Sequence, residues 1–210
     1  MKKITILLGG QLEVTPRLMG QIAGSTVIAA DSGIRHAETL GVEPFLWLGD
    51  FDSTQEADIA RYREIRRQSY PVEKDMTDGE IAVHVALAEG ADEIILCGAF
   101  GGSRSDHALL HMTMAAALAQ KGVKLLLTSG GEEATPLAPG DHVFDLPDDT
   151  LFSIIAFSQM SELSIQGAHW QLQNAQLDFG SSLTLSNRVQ GTLFVSFENG
   201  SGILIANLKE

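Results

Sequence analysis

The stretch "EIILCGAFGGSRSDHALLHMTMAAALAQKG", residues 93–122, decides the fold. Glu93–Cys97 is a short apolar run of strand length. A glycine-rich turn follows it. Then Leu109, Met112, Ala116 and Ala119 recur at helical spacing over Asp106–Lys121, and Gly122 can end the helix. This is one strand–loop–helix unit. Similar apolar runs stand at Ile4–Leu8, Thr26–Ala30, Phe45–Leu48 and Val123–Leu127. Helix-like segments lie between most of them. "TDGE" at Thr77–Glu80 has a capping-box pattern, with Thr77 as N-cap, and Ile81, Val85 and Ala88 then share a face. Thr54–Arg67 reads as a more polar helix. Alternation of this kind predicts an α/β domain with a mainly parallel sheet, placed at residues 1–132.

The pattern changes at Thr128–Asp141, which is rich in Gly, Pro and acid and reads as a linker or long loop. Beyond it no segment has helical periodicity. Short strands are predicted at His142–Leu146, Leu151–Phe157, Glu162–Ile165, His169–Leu172, Ala175–Phe179 and Gly191–Phe197, with an Asn-Gly turn and a last strand in "FENGSGILIANL". The expectation is an all-β sandwich domain over residues 140–210.

Composition excludes several function classes. The formal charge of −13 makes the chain a poor partner for nucleic acid, whose binding depends on Lys and Arg at phosphates. A small phosphate ligand would have to bring a cation. No apolar run is long enough to span a bilayer, and the apolar run after "MKK" is too short for a signal-peptide core. Cys97, the single cysteine, sits in an apolar run and reads as a small core residue. A cytoplasmic location is expected. There is no P-loop, no G-x-G-x-x-G after the first strand, no G-x-S-x-G elbow and no Cys–His cluster for zinc.

Chemistry collects where strands end. The five apolar runs are followed by Gly9-Gly10, Asp31-Ser32-Gly33, Gly49-Asp50-Phe51-Asp52-Ser53, Gly98–Gly102 and Thr128–Gly131. In an open parallel sheet these ends share one edge, where ligands bind. If the extended conformation continues past Leu48, Asp50 and Asp52 point to one face. Two carboxylates held close disfavour each other's charge, and a hard cation such as Mg²⁺ relieves the conflict. Asp52 equally suits capping of the helix after it. "KDMTD", residues 74–78, precedes a helix N-terminus that favours anions. Thr77 and Asp78 can cap that helix and also face a ligand. Lys74 either touches a phosphate or is simply exposed. "GGSRSDH", residues 101–107, combines a glycine turn, Arg104 and Asp106 at a helix start, a set suited to phosphate oxygens. His107 and His111 are four apart but lack a third metal ligand of matching type; hydrogen-bonded helix histidines are the expectation.

Taken together these residues resemble the thiamine pyrophosphokinase family over nearly the whole chain. "GDFDS" (49–53) and "KDMTD" (74–78) match its strongest motifs. "ADSG" (30–33) is similar to the family's "ADGG", with Ser32 replacing a glycine. "GGSRSDH" is similar to "GGRxDH" with one extra residue, and Arg104, Asp106 and His107 keep their relative spacing. His111 stands where relatives often carry Asn. "GAHWQL" (167–172) and "GSSLTLSN" (180–187) resemble thiamine-binding segments.

The resemblance implies transfer of pyrophosphate from ATP to the hydroxyl of thiamine. It implies catalytic roles for Asp50, Asp52, Asp75, Asp78, Arg104 and Asp106, with Mg²⁺ on Asp50, Asp52 and Asp78. ATP would meet Asp31, Ser32, Gly33, Lys74, Thr77, Gly101, Gly102, Arg104 and His107. Thiamine would meet Trp170, Ser186 and Asn187. A homodimer is implied too, with thiamine between the catalytic edge of one subunit and the β domain of the other. No residue stands out as general base. Two alternatives use the same acids: a diphosphokinase acting on another primary alcohol such as a hydroxymethylpterin, and a non-catalytic thiamine- or nucleotide-binding protein.

Overall fold

The computed structural model describes residues 2–51, 54, 56–71, 73, 75–102 and 104–208. The chain divides into two compact units, residues 1–111 with 124–130 and residues 112–123 with 131–210.

In the first unit the elements run β1 (Lys3–Leu7), α1 (Pro16–Ile22), β2 (Thr26–Ala30), a 3₁₀ turn (Asp31–Arg35), α2 (His36–Leu40), β3 (Leu46–Gly49), α3 (Glu56–Arg61), β4 (Arg67–Ser69), α4 (Asp78–Ala88), β5 (Glu93–Cys97), α5 (Ser105–Ala119, which continues beyond this unit) and β6 (Lys124–Thr128). The strands lie in the order β6-β5-β1-β2-β3-β4. Every pairing is parallel, with Leu7 opposite both Ala29 and Cys97. The carboxyl ends therefore share one edge. β1, β2, β3 and β5 are almost wholly buried, as strands covered on both faces must be. Leu7, Leu18, Ala29, Ile34, Trp47, Ile95 and Cys97 form one of the packed clusters. Burial also pushes the Cys97 thiol up to about 12.

Several local expectations change. Among the described residues of Thr54–Arg67 only Glu56–Arg61 are helical, and Arg67–Ser69 is a further parallel strand. That strand is polar and pairs in register with Trp47, Leu48 and Gly49, so backbone pairing makes it and hydrophobic pattern does not. The buried side of α4 is Gly79, Ile81, Ala82, Val83 and Ala86, while Ala88 is exposed. Small residues let that helix lie close on the sheet. On α5 Leu109 is exposed, and His111, Ala115 and Ala116 are the buried positions.

The second unit contains β7 (Glu132–Leu137), β8 (Gly140–Phe144), β9 (Leu151–Ala156), β10 (Met160–Ala168), β11 (Leu172–Leu177), β12 (Asn187–Phe197) and β13 (Gly202–Asn207). β13 lies between β7 and β9, and β12 lies between β8 and β10, all antiparallel. β12 pairs with β9 at Asn187 and Arg188 before continuing beside β8 and β10. Phe152, Ile154 and Leu204 meet Leu163, Ile165, Leu193 and Val195 in one core, as the inner faces of a sandwich do. The expected loop at 128–141 is corrected. β7 occupies much of it, because Gly202–Asn207 pairs with all six of its residues, Pro136 included. The strand expected at Glu162–Ile165 is the middle of a longer one, β10, which ends at Ala168, and the strand expected at His169–Leu172 does not form, since residues 169–171 link β10 to β11. No described helix is long and apolar enough to cross a membrane.

Candidate functional site

A cleft of 540 Å³ opens at the carboxyl edge of the first unit's sheet. Its wall is built from Leu8–Gly10 after β1, Ala30–Ser32 after β2, Asp75–Glu80 at the start of α4, Gly98, Ala99, Gly101, Gly102 and Arg104 after β5, and His107, Ala108 and His111 of α5. Among the expected residues it brings together Asp31, Ser32, Asp75, Thr77, Asp78, Gly101, Gly102, Arg104 and His107.

The start of α4 is organised by its own sequence. Thr77 Oγ1 accepts a hydrogen bond from the Glu80 N–H at 3.2 Å, and Glu80 Oε2 accepts one from the Thr77 N–H at 2.9 Å. This is the reciprocal capping box. It occupies Thr77 and Glu80 and leaves the helix end, with Asp78 in its first turn, facing the cleft.

Gly33 does not line the cleft. A Cβ there would lie 2.1 Å from the Leu7 carbonyl oxygen, so Gly33 lets the turn after β2 lie directly against β1. Asp31 has a left-handed backbone, φ 45°, and its carbonyl oxygen accepts a hydrogen bond from Trp47 Nε1 at 2.9 Å. Asp50 stands at the neighbouring strand end and is not part of the cleft wall. The extended conformation on which the Asp50–Asp52 expectation depends ends before Asp52. Phe51 has φ 60°, so the extended conformation stops there. The cause is packing: the Phe51 ring turns back to meet Trp47 edge-on, with centroids 4.9 Å apart. Asp52 and Lys74 lie outside the described residues.

Arg104 and Asp106 form a fork, with Nε to Oδ1 at 2.9 Å and Nη2 to Oδ2 at 2.7 Å. The Arg104 hydrogen bonds hold the exposed Asp106 carboxyl well below the usual carboxylate range. Arg104 lines the cleft and Asp106 does not. The pair keeps the guanidinium oriented, with donors left for an anion.

Sequence reasoning passed over His111 as a cleft residue. Nearly buried at 7% exposure, it donates from Nδ1 to the Ala99 carbonyl at 3.2 Å. Burial lowers its pKa from 6.5, opposed by that hydrogen bond. His36 is lowered from the same value by burial. A histidine that resists protonation in the fold stabilises it less as pH falls, because the unfolded chain binds the proton first. Stability should therefore drop as pH falls through about 6.5. Urea unfolding between pH 7.5 and 5.5 should show it, at no more than about 1.4 kcal/mol per pH unit for each histidine. His111→Asn should flatten the slope; an unchanged slope would remove His111 from the account.

The thiamine-segment residues lie in the second unit. Trp170 is 58% exposed, yet its loop is held firmly. Buried Asn187 accepts a hydrogen bond from the Trp170 N–H at 3.0 Å and donates Nδ2–H to the Trp170 carbonyl at 2.7 Å. The His169 ring meets the indole edge-on, with centroids 4.6 Å apart. Ser186 is exposed, with φ 58°. Asn187 thus acts on Trp170 through the backbone.

Among the described residues no three His, Cys, Asp or Glu side chains form a ready metal group. Asp31, Asp75 and Asp78 nonetheless give the cleft wall oxygen donors and no thiol. Such a set fits Mg²⁺, which commonly takes one or two carboxylates and completes its shell with water and phosphate. Acids, an arginine fork and a helix N-terminus around one cleft suit a polyphosphate ligand.

Comparison with known proteins agrees. Residues 22–127 match the family model for the thiamin pyrophosphokinase catalytic domain, and residues 141–204 match that for the thiamin pyrophosphokinase vitamin B1 binding domain. The thiamine pyrophosphokinase of Bacillus subtilis (strain 168) is 30% identical, over 98% of this chain and 97% of its own. A crystal structure of the Bacillus subtilis enzyme superposes with a TM-score of 0.89 at 27% identity, covering both chains fully. That of thiamin pyrophosphokinase from Geobacillus thermodenitrificans gives 0.85 at 26% identity, covering 99% of this chain and 98% of the other. With both domain models matched in order and a relative aligned end to end, the chain belongs to the thiamine pyrophosphokinase family of diphosphotransferase enzymes.

Proposed function

We propose that this chain transfers pyrophosphate from ATP to the hydroxyl of thiamine, giving thiamine diphosphate and AMP. The observation that carries the reading is the cleft wall, where Asp31, Asp75, Asp78, Arg104 and the α4 N-terminus converge at one sheet edge. The thiamine hydroxyl oxygen attacks the β-phosphorus. The bond from that phosphorus to the oxygen it shares with the α-phosphate breaks. AMP leaves with that oxygen, and the hydroxyl proton passes to solvent. The chain's contribution is in-line positioning and charge neutralisation.

Asp50, Asp52 and Asp78 would hold Mg²⁺, with Asp75, in the loop just before Asp78, and Asp106, in the first turn of α5, as further candidates. Mg²⁺, when bound, offsets phosphate charge that an acidic protein cannot offset alone. Arg104 and Lys74 supply fixed positive charge to the phosphates. Thr77, Gly101, Gly102 and His107 line the ATP site, and Asp31, Ser32 and Gly33 shape its nucleotide end. We assign ATP and catalysis to residues 1–132, and thiamine binding and dimerisation to residues 140–210. Trp170 offers an aromatic face to the cationic thiazolium, with Ser186 beside it in the site and Asn187 holding its loop. The working form is a cytoplasmic homodimer.

Incubation with ATP, Mg²⁺ and thiamine should yield AMP and thiamine diphosphate in equal amounts. Folded protein that makes neither would overturn the proposal.

A further inference from the structure

The Gly9–Gly10 turn lines the cleft, yet both of its carbonyl oxygens are taken up by side chains that do not. Arg35 Nη2 donates to the Gly9 oxygen, and also to the Gly10 oxygen at 3.2 Å. His36 Nε2 donates to the same Gly10 oxygen at 2.9 Å. The opposite ends of these two peptide units are bonded as well. The Gly10 N–H donates to the Gly98 carbonyl at 3.0 Å, and the Gln11 N–H to the Phe100 carbonyl at 2.9 Å. There is no slack in this turn: a Cβ on Gly10 would lie 2.3 Å from the Gly98 oxygen.

We propose that Arg35 and His36 are positioning residues of the phosphate-binding edge, holding the Gly9 and Gly10 carbonyl oxygens away from the cleft so that the turn after β1 points no carbonyl oxygen toward a triphosphate. The inference rests on the reading of this cleft as the ATP site. Its physical basis is simple. A peptide oxygen carries partial negative charge, and beside a triphosphate it would be both unbonded and repelled. Flipping either peptide inward would break a hydrogen bond at each end, and at Gly9 one of those comes from a guanidinium. His36 serves as a neutral donor here. Burial lowers its pKa, and the Gly10 carbonyl fixes the proton on Nε2. Arg35 ends the same 3₁₀ turn that carries Asp31 and Ser32, and His36 follows it, so the turn that supplies wall residues after β2 also restrains the wall after β1.

The test compares Arg35→Ala and Arg35→Lys with the wild-type chain. Titration calorimetry with magnesium–ATP, without thiamine, gives the Kd; steady-state assays give both KM values. Arg35→Ala should raise the Kd and KM for ATP about tenfold, the scale of a lost charged hydrogen bond, and leave the thiamine KM within about twofold. Arg35→Lys, whose ammonium can still bridge two oxygens, should recover most of the loss. Unchanged ATP binding in Arg35→Ala would overturn the proposal. So would a parallel rise in both KM values with a lower melting point, the mark of general loosening. Should Arg35→Ala not fold, His36→Ala is read in the same way. Wild-type protein that binds ATP but makes no AMP would defeat the proposed function while the calorimetric comparison still decides this one.

Discussion

Asp78→Asn should cut turnover by roughly 10²–10³-fold, the scale of losing one preorganised group that meets charge in a transition state. Thermal stability should stay near wild type. The two halves of this expectation come from different parts of the geometry. Asp78 is in the first turn of α4 and lines the cleft. The cap of that helix is supplied by Thr77 and Glu80, which satisfy each other's backbone groups. Removing the Asp78 charge therefore forfeits a dipole contribution of about 0.3–1 kcal/mol and no cap. Against that small structural loss stands a carboxylate in the wall of the cleft proposed to hold the triphosphate. Steady-state kinetics beside a thermal melt decides the matter. Turnover within about threefold of wild type would make Asp78 a helix-dipole residue only.

Trp47→Ala should destabilise the chain by about 3–5 kcal/mol, the usual range for deleting a large buried aromatic. Total stability of a domain is commonly about 5–15 kcal/mol, so little margin would remain. Trp47 is fully buried and meets Phe51 and Tyr62 edge-on at 4.9 and 6.2 Å. Its indole N–H also holds the carbonyl of Asp31, a residue of the cleft wall in a left-handed conformation. Trp47→Phe separates these roles. It keeps most of the volume and loses the N–H, so it should cost only about 1 kcal/mol. It should still weaken ATP binding, because Asp31 is released. Urea unfolding followed by circular dichroism gives the stability order. A Trp47→Ala loss below about 1 kcal/mol would mean that the site collapses to fill the space.

What was legible in the sequence depended on how local its cause was. The strand–glycine–helix repeat marks the parallel sheet because apolar period and turn chemistry act over a few residues. The Thr77–Glu80 cap was readable for the same reason. β4 and β7 were not, since Arg67–Ser69 and Glu132–Leu137 are strands by virtue of their partners. That a cleft lies at the strand ends was recognisable from their acids and glycines. The separate placing of Asp50 was not, because the apolar pattern of β3 carries no sign that the chain leaves the extended conformation at Phe51, φ 60°. Arg35 and His36 escaped notice likewise. Their partners are backbone oxygens more than twenty residues earlier, and nothing in their own segment marks that contact.

Cys97 has a practical consequence. A thiol reacts through its thiolate, and with its pKa pushed up to about 12 the thiolate fraction at pH 7 is about 10⁻⁵. Full burial in β5 closes the approach as well. The chain thus behaves toward electrophiles and oxidants as though it had no cysteine. A cysteine placed on its surface, at Trp170 or beside the Arg104 loop, would be the one thiol to take a fluorophore or spin label. The Arg104 loop and the Trp170 loop can each be labelled that way without altering the native core.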